Sequence, residues 1–167
     1  MEKILKGKCW KFGDNISTDL IAPGRYFHLR SNLEELAKHT LEDADPDFVK
    51  KMKKGDIVVG GKNFGLGSSR EHAPVIIKLS GINAVLARSF ARIFFRNAIN
   101  VGLPVIICDT DRIKDQDELE INLKEGKIKD ITLNFELDFP PLPEIMQNIL
   151  QKDGLVNYIK EYGELKV

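Results

Sequence analysis

Residues 61–74 read "GKNFGLGSSREHAP", which sets Gly65, Gly67, Ser68, Ser69 and Arg70 ahead of a run with the apolar spacing of a helix. Glycines let backbone N–H groups converge on one point, hydroxyls add donors, and a guanidinium grips a carboxylate through two parallel hydrogen bonds. Such a loop suits a carboxylate or an oxyanion. It also suits a tight turn that needed glycine and nothing more, and the run by itself leaves both readings open.

Spacing excludes better-known loops. A phosphate-binding nucleotide loop requires Lys and then Ser or Thr after its second glycine, and here Leu66 and Gly67 follow Gly65. A dinucleotide fingerprint begun at Gly65 meets Arg70 where its last glycine belongs. A nucleophile elbow around Ser68 would also need glycine at Arg70. Six of the seven arginines, Arg25, Arg30, Arg70, Arg88, Arg92 and Arg96, lie in the stretch 25–96. Of these, Arg88, Arg92 and Arg96 are spaced four apart and read as surface or ion-pair residues before ligand contacts. Asp14, Asn15, Ser17 and Asp19 form an oxygen-rich segment that a simple Asx turn would explain. His39 and His72 read as helix-surface or capping residues, Cys9 and Cys108 as packed thiols.

Lys plus Arg equals Asp plus Glu at 25 each, so no global field favours nucleic acid or an anionic membrane as partner. Two cysteines are too few for a disulfide framework, and their spacing with the three histidines matches no zinc or iron–sulfur ligand set. No run of about 18 apolar residues occurs, and the first residues lack a signal-peptide core, so a cytoplasmic protein is expected.

The elements that must position the loop follow from periodicity. "KILKGKCWKFG" reads as a strand, "LEELAKHTL" as a short helix capped by Ser31 or Asn32, and "EDADPDFVKKMKKGD" as polar surface chain. "DIVVGG", "NAVLA" and "PVIICD" are short apolar strands, separated by helices at "REHAPVIIKLSG" and at "SFARIFFRNAI", the latter capped by Ser89. That order predicts parallel strands covered by helices. Beyond Asp109, "DELEINL" and "IKDITLNFELDF" predict an antiparallel meander, and two helices close the chain.

Together, "GDNISTDLIAPGRY", "GKNFGLGSSREHAP" and "SFARIFFRNAINVGLP" resemble the small subunits of 3-isopropylmalate dehydratases, in the aconitase superfamily, in the same order and over nearly the whole chain. The resemblance implies a single α/β domain over 1–167, a swivelling β/β/α three-layer domain with a mixed, partly parallel central sheet. It implies a partner, a large subunit that holds a [4Fe-4S] cluster whose iron takes the substrate hydroxyl. Ser68 then matches the general base, Ser69 and Arg70 its substrate-binding neighbours, and Asp19 an acidic active-site residue. The loop "YFHLRSN" matches the segment that reads the variable substrate group. There Phe27 and Leu29 favour an isopropyl group, whereas Arg30 favours an additional carboxylate. The expected function is therefore hydro-lyase interconversion of 2- and 3-isopropylmalate in leucine biosynthesis, with homoaconitate hydration as the alternative in the same class. A partner-independent anion-binding module and a purely structural subunit are the alternatives outside it. Leu66 stands where many relatives have cysteine.

Overall fold

The computed structural model describes residues 4–165. Strand β1 (Ile4–Lys11) is the hinge of the architecture because it pairs on both of its edges. Ile4 to Lys8 run antiparallel to β5 (Glu118–Asn122), while Cys9, Trp10 and Lys11 run parallel to β2 (Ile57–Val59). Gly7 sits where the two pairings meet, and any Cβ there would overlap the Gly55 carbonyl oxygen. With β3 (Ala84–Ala87), β4 (Val105–Ile107), β6 (Lys127–Asp130) and β7 (Phe135–Asp138), one seven-stranded sheet results, ordered β4-β3-β2-β1-β5-β6-β7. Strands β1 to β4 are parallel and β5 to β7 form the expected meander.

The sheet curls on itself. Alternate residues of the parallel strands, among them Ile57, Val59, Leu86 and Ile106, share one buried cluster with Leu119, Ile121 and Ile128 of the meander. The opposite face, Val58, Val85, Ala87 and Val105, packs under the helices. Period-two alternation therefore supplies both layers, one closed by strands and one by helices, and the result is the β/β/α arrangement. The helical layer includes α2 (Leu33–Ala37), α4 (His72–Leu79), α5 (Arg92–Val101), α6 (Glu144–Gln151) and α7 (Leu155–Tyr162), each contributing buried apolar side chains. Pro74 lies in the first turn of α4, where its missing N–H has no intrahelical partner to lose.

Several local expectations are corrected. Residues 24–29 form a 3-10 turn, and a one-turn helix α1 (Thr18–Ile21) precedes it, capped by Ser17, whose Oγ accepts from Leu20 N–H at 3.1 Å. The polar stretch before β2 holds helix α3 (Phe48–Lys51), whose Phe48 is fully buried against the edges of Trp10 and Phe12. Ser89 does not cap α5: Ala91 holds the N-cap position, and Ser89 Oγ accepts instead from Asn63 N–H at 2.8 Å. Asn32 caps α2 as expected.

Two acids are buried side by side at the base of the meander, Asp117 and Asp130. Burial first, and the adjacent Asp117 carboxyl second, push Asp130 from 3.8 up to about 6. Across that window the folded state keeps a proton that the unfolded chain has released, so stability falls as pH rises from about 4 to about 6. Asp130→Asn removes this penalty and can still accept the Leu133 N–H bond made by Oδ1. Thermal melts of the two proteins should coincide near pH 4, with the variant melting progressively higher towards pH 7; a pH-independent difference would contradict the assignment.

Candidate active site

The glycine-rich loop emerges from the carboxyl end of β2, between the loops that leave β1 and β3. This is the end of a parallel sheet where successive connections form a crevice. Each neighbour holds the loop by backbone hydrogen bonds. From the β1 side, Ile16 O accepts from Gly65 N–H at 2.7 Å and Thr18 N–H donates to Leu66 O at 2.8 Å. Thr18, only 3% exposed, also donates its hydroxyl to Ser68 O at 2.8 Å. From the β3 side, Arg88 N–H donates to Gly61 O, and Phe64 exchanges bonds with Ser89 O and Ala91 N–H at 3.0 and 2.9 Å.

Ser68 and Ser69 lie in the loop itself and not within the helix, since α4 begins at His72. Both are exposed. Arg70 is more enclosed, its side chain 22% exposed, and its guanidinium is shared among three acceptors. Nε donates to Ser68 Oγ at 3.3 Å, Nη1 to Ala22 O at 3.4 Å, and Nη2 lies 3.2 Å from Asp19 Oδ1. Asp19 is itself 65% exposed, so this ion pair does more to aim Arg70 than to stabilise the fold. A positive charge beside Ser68 Oγ favours its anionic form over what water alone would provide. Half-buried His72 is held below the ordinary imidazole value by burial and then by the Arg70 charge.

A cavity of about 190 Å³ opens between this loop and the first turns of α5. Thr18, Ser68, Ser69 and Arg70 form one wall; Arg92, Ile93 and Asn97 form the other. Arg92 is exposed and has no hydrogen-bond or ion-pair partner among the described residues. The spacing argument had assigned it to a surface stripe with Arg88 and Arg96. Among the described residues, of these three only Arg88 pairs with an acid, Asp111 at 2.8 Å. Thr18, Arg92 and Asn97 were not singled out from sequence as site residues. Thr18 could have been found from its place in "ISTD", whereas Arg92 and Asn97 reach the cavity only because α5 packs across the loop.

Phe27, Leu29 and Arg30 do not line that cavity. They sit on the 3-10 turn, which starts beside the site: Gly24 is so placed that a Cβ would lie 3.2 Å from Asp19 Oδ1. Arg25 ties the turn to Glu42 and Asp43, and Tyr26 stacks on His39 with ring centres 3.7 Å apart. At the exposed end Arg30 lies over the Phe27 ring, 4.3 Å from its centre, with Nη1 donating to Phe27 O at 3.2 Å. Leu29 leans partly into the core.

Cys9 and Cys108 are buried in the curl of the sheet, and burial pushes both thiols up to about 12. Among the described residues no three His, Cys, Asp or Glu side chains gather as a metal-ligand group. These residues do not fit the ligation of an iron–sulfur cluster.

In class, then, this is an α/β domain that offers a serine, an arginine fork and an acid at the carboxyl ends of parallel strands. The family model of the aconitase C-terminal domain matches residues 14–109. A Thermotoga maritima protein named 3-isopropylmalate dehydratase small subunit 1 is 63% identical over 96% of this chain and 97% of its own length. A Methanocaldococcus jannaschii protein named isopropylmalate/citramalate isomerase small subunit is 54% identical over 96% of each chain. The crystal structure of 3-isopropylmalate dehydratase from the same organism superposes with a TM-score of 0.92 at 48% identity, covering 96% of both chains. The chain belongs to the aconitase superfamily, among the small subunits of 3-isopropylmalate dehydratase.

Gly65 ties loop and helix together, and it is the most sensitive point of the site. Its φ is +82°, and a Cβ there would overlap the Phe94 ring. Phe94 in turn packs edge-on against Phe64, with ring centres 5.4 Å apart. Gly65→Ala should therefore destabilise by about 2 kcal/mol or more, from overpacking and a left-handed backbone together. Chemical denaturation checks this. A variant as stable as the parent would contradict the close approach.

Proposed function

We propose that this chain is the small subunit of a heteromeric hydro-lyase that interconverts 2- and 3-isopropylmalate in leucine biosynthesis, acting in the cytoplasm with a large, cluster-bearing subunit. Ser68 is the base that removes the proton beside a substrate carboxylate. The observation that carries this reading is the Arg70 Nε contact to Ser68 Oγ, made on a loop clamped from both sides. Serine is a poor base in water, and an adjacent fixed cation lowers the cost of its alkoxide. Ser69 and the rest of the Arg70 fork receive the carboxylate, and Asp19 keeps the fork in plane. Arg92 faces them across the cavity and supplies positive charge for a second carboxylate. A [4Fe-4S] cluster held by the partner would supply Lewis-acid chemistry at the hydroxyl, and this chain binds and orients the substrate and moves the proton.

Substrate choice falls to the 3-10 turn. Covering an isopropyl group with Phe27 and Leu29 is worth roughly 2 kcal/mol, and Arg30, exposed on the Phe27 ring, then stays in solvent. An inward Arg30 facing an isopropyl group would leave a desolvated guanidinium unpaired, which favours a tricarboxylate instead.

In the assembled enzyme, Ser68→Ala should lower kcat by about 10² to 10⁴ with KM little changed, because a base acts in the transition state. Arg70→Lys should chiefly raise KM, since an ammonium cannot reproduce the bidentate fork. Steady-state kinetics of both variants beside the parent separate the roles; near-normal kcat in Ser68→Ala would remove the base from Ser68. On a panel of isopropylmalate, citramalate and homoaconitate, kcat/KM should be greatest for isopropylmalate and indifferent to Arg30→Ala. A preference for the tricarboxylate that collapses in that variant would reassign the substrate and leave the chemistry in place.

A further inference from the structure

Asn97 has no use inside the fold. It lies in the middle of α5, where asparagine is a poor helix former because its amide competes for backbone groups. It is half-buried, between the buried Phe94 and Ala98 in sequence, and its carboxamide makes no hydrogen bond with any described residue. An enclosed amide without a partner gives up hydration for nothing, and alanine at this position would suit the helix better.

The side chain lines the 190 Å³ cavity together with Ser68, Ser69 and Arg70. Side chains of a helix lean towards its N-terminus, and residues four apart share a face. Asn97 therefore stands above Ile93, which lines the same cavity, and reaches back over the first turn of α5.

The ligand for that space is an anion. Arg70 and Arg92 are the charged residues that line the cavity, and no acid does. No side chain caps α5, its first turn holds no acid, and its N-cap residue, Ala91, lines the cavity too. The first-turn N–H groups and the positive end of the helix dipole thus add to the potential of the two guanidiniums. A carboxamide can donate or accept, and beside an anion only its Nδ2 donors are of use.

We propose that Asn97 is a further substrate-binding residue, donating through Nδ2 to the carboxylate that Arg92 receives. The inference rests on the functional reading above and adds to it a contact that carries direction without charge. Two guanidiniums then still match two carboxylates, and the amide fixes how the second one sits.

The test is steady-state kinetics on 2-isopropylmalate with the cluster-loaded large subunit bound, beside thermal melts of the free chain. Asn97→Ala should raise KM about tenfold or more while kcat stays within about threefold, as expected when a hydrogen bond to a charged ligand is lost from the bound substrate. Asn97→Asp, nearly the same size but anionic, should raise KM further, and its excess over Asn97→Ala should shrink as salt is added. Asn97→Ala should melt at or above the parent, because the helix gains a better former and no internal bond is broken. KM within about twofold of the parent in both variants would overturn the assignment. So would a fall in kcat at unchanged KM, or an Asn97→Ala chain that melts well below the parent, since either would make Asn97 a support for the loop. These outcomes need an active parent and leave the functional reading standing. A parent inert on both isopropylmalate isomers with its partner bound would remove that reading, and this inference with it.

Discussion

Three hydrogen bonds from residues 16–18 hold the serine loop in place, and the site depends on them more than on any other contact. Ile16 O, Thr18 N–H and the Thr18 hydroxyl engage Gly65, Leu66 and Ser68 in turn, across about fifty residues of sequence. Buried Phe64 anchors the start of the loop, but the glycines and serines after it have almost no apolar side chain to hold them. Its shape must be imposed by polar contacts from outside. Thr18 is buried, so its bonds are made where water competes poorly and where leaving them unmade would be expensive. The Asp19 carboxylate, next in sequence, then falls beside Arg70 as a consequence of the same anchoring.

The sheet explains why these distant segments meet. Because β1 pairs with the meander along its first half and with β2 along its second, the loops after β1, β2 and β3 leave from one edge in adjacent positions. The middle loop carries the serine and is held from both flanks. Packing then adds the far wall: Phe94 of α5 rests on Gly65, which brings Arg92 and Asn97 over the loop. What results is a cradle with charge and hydroxyls in place and an open mouth.

Much of this was legible in the sequence, for identifiable reasons. The parallel strands announced themselves as short apolar runs, and Gly65 with Gly67 marked a loop that needs glycine; both adopt positive φ. Ser68, Arg70 and Asp19 were named from their motifs and do stand together. Other features follow from tertiary contacts that local pattern does not encode. Phe48 lies within a run of charges, and only its packing under Trp10 and Phe12 makes a helix there worthwhile. Ser89 has the right residue type for a cap, yet the chain stays extended through Ala91 because residues 88–91 are already paired with the serine loop. Arg92 matched a surface periodicity, and its place in the cavity comes from how α5 crosses that loop. Phe27, Leu29 and Arg30 were named as one group, but the turn sets Arg30 on the Phe27 ring at its exposed end and leans Leu29 partly into the core.

The central claim is that this chain holds half of a catalytic site, complete only when a second subunit closes it. The most direct measurement is interconversion of 2- and 3-isopropylmalate by this chain alone, by the reconstituted large subunit alone, and by the two titrated together under anaerobic conditions. The account predicts no turnover from either chain by itself and activity that rises with added small subunit to a fixed molar ratio. Turnover by this chain in the absence of its partner, or a saturated mixture that remains inert on both isomers, would contradict it.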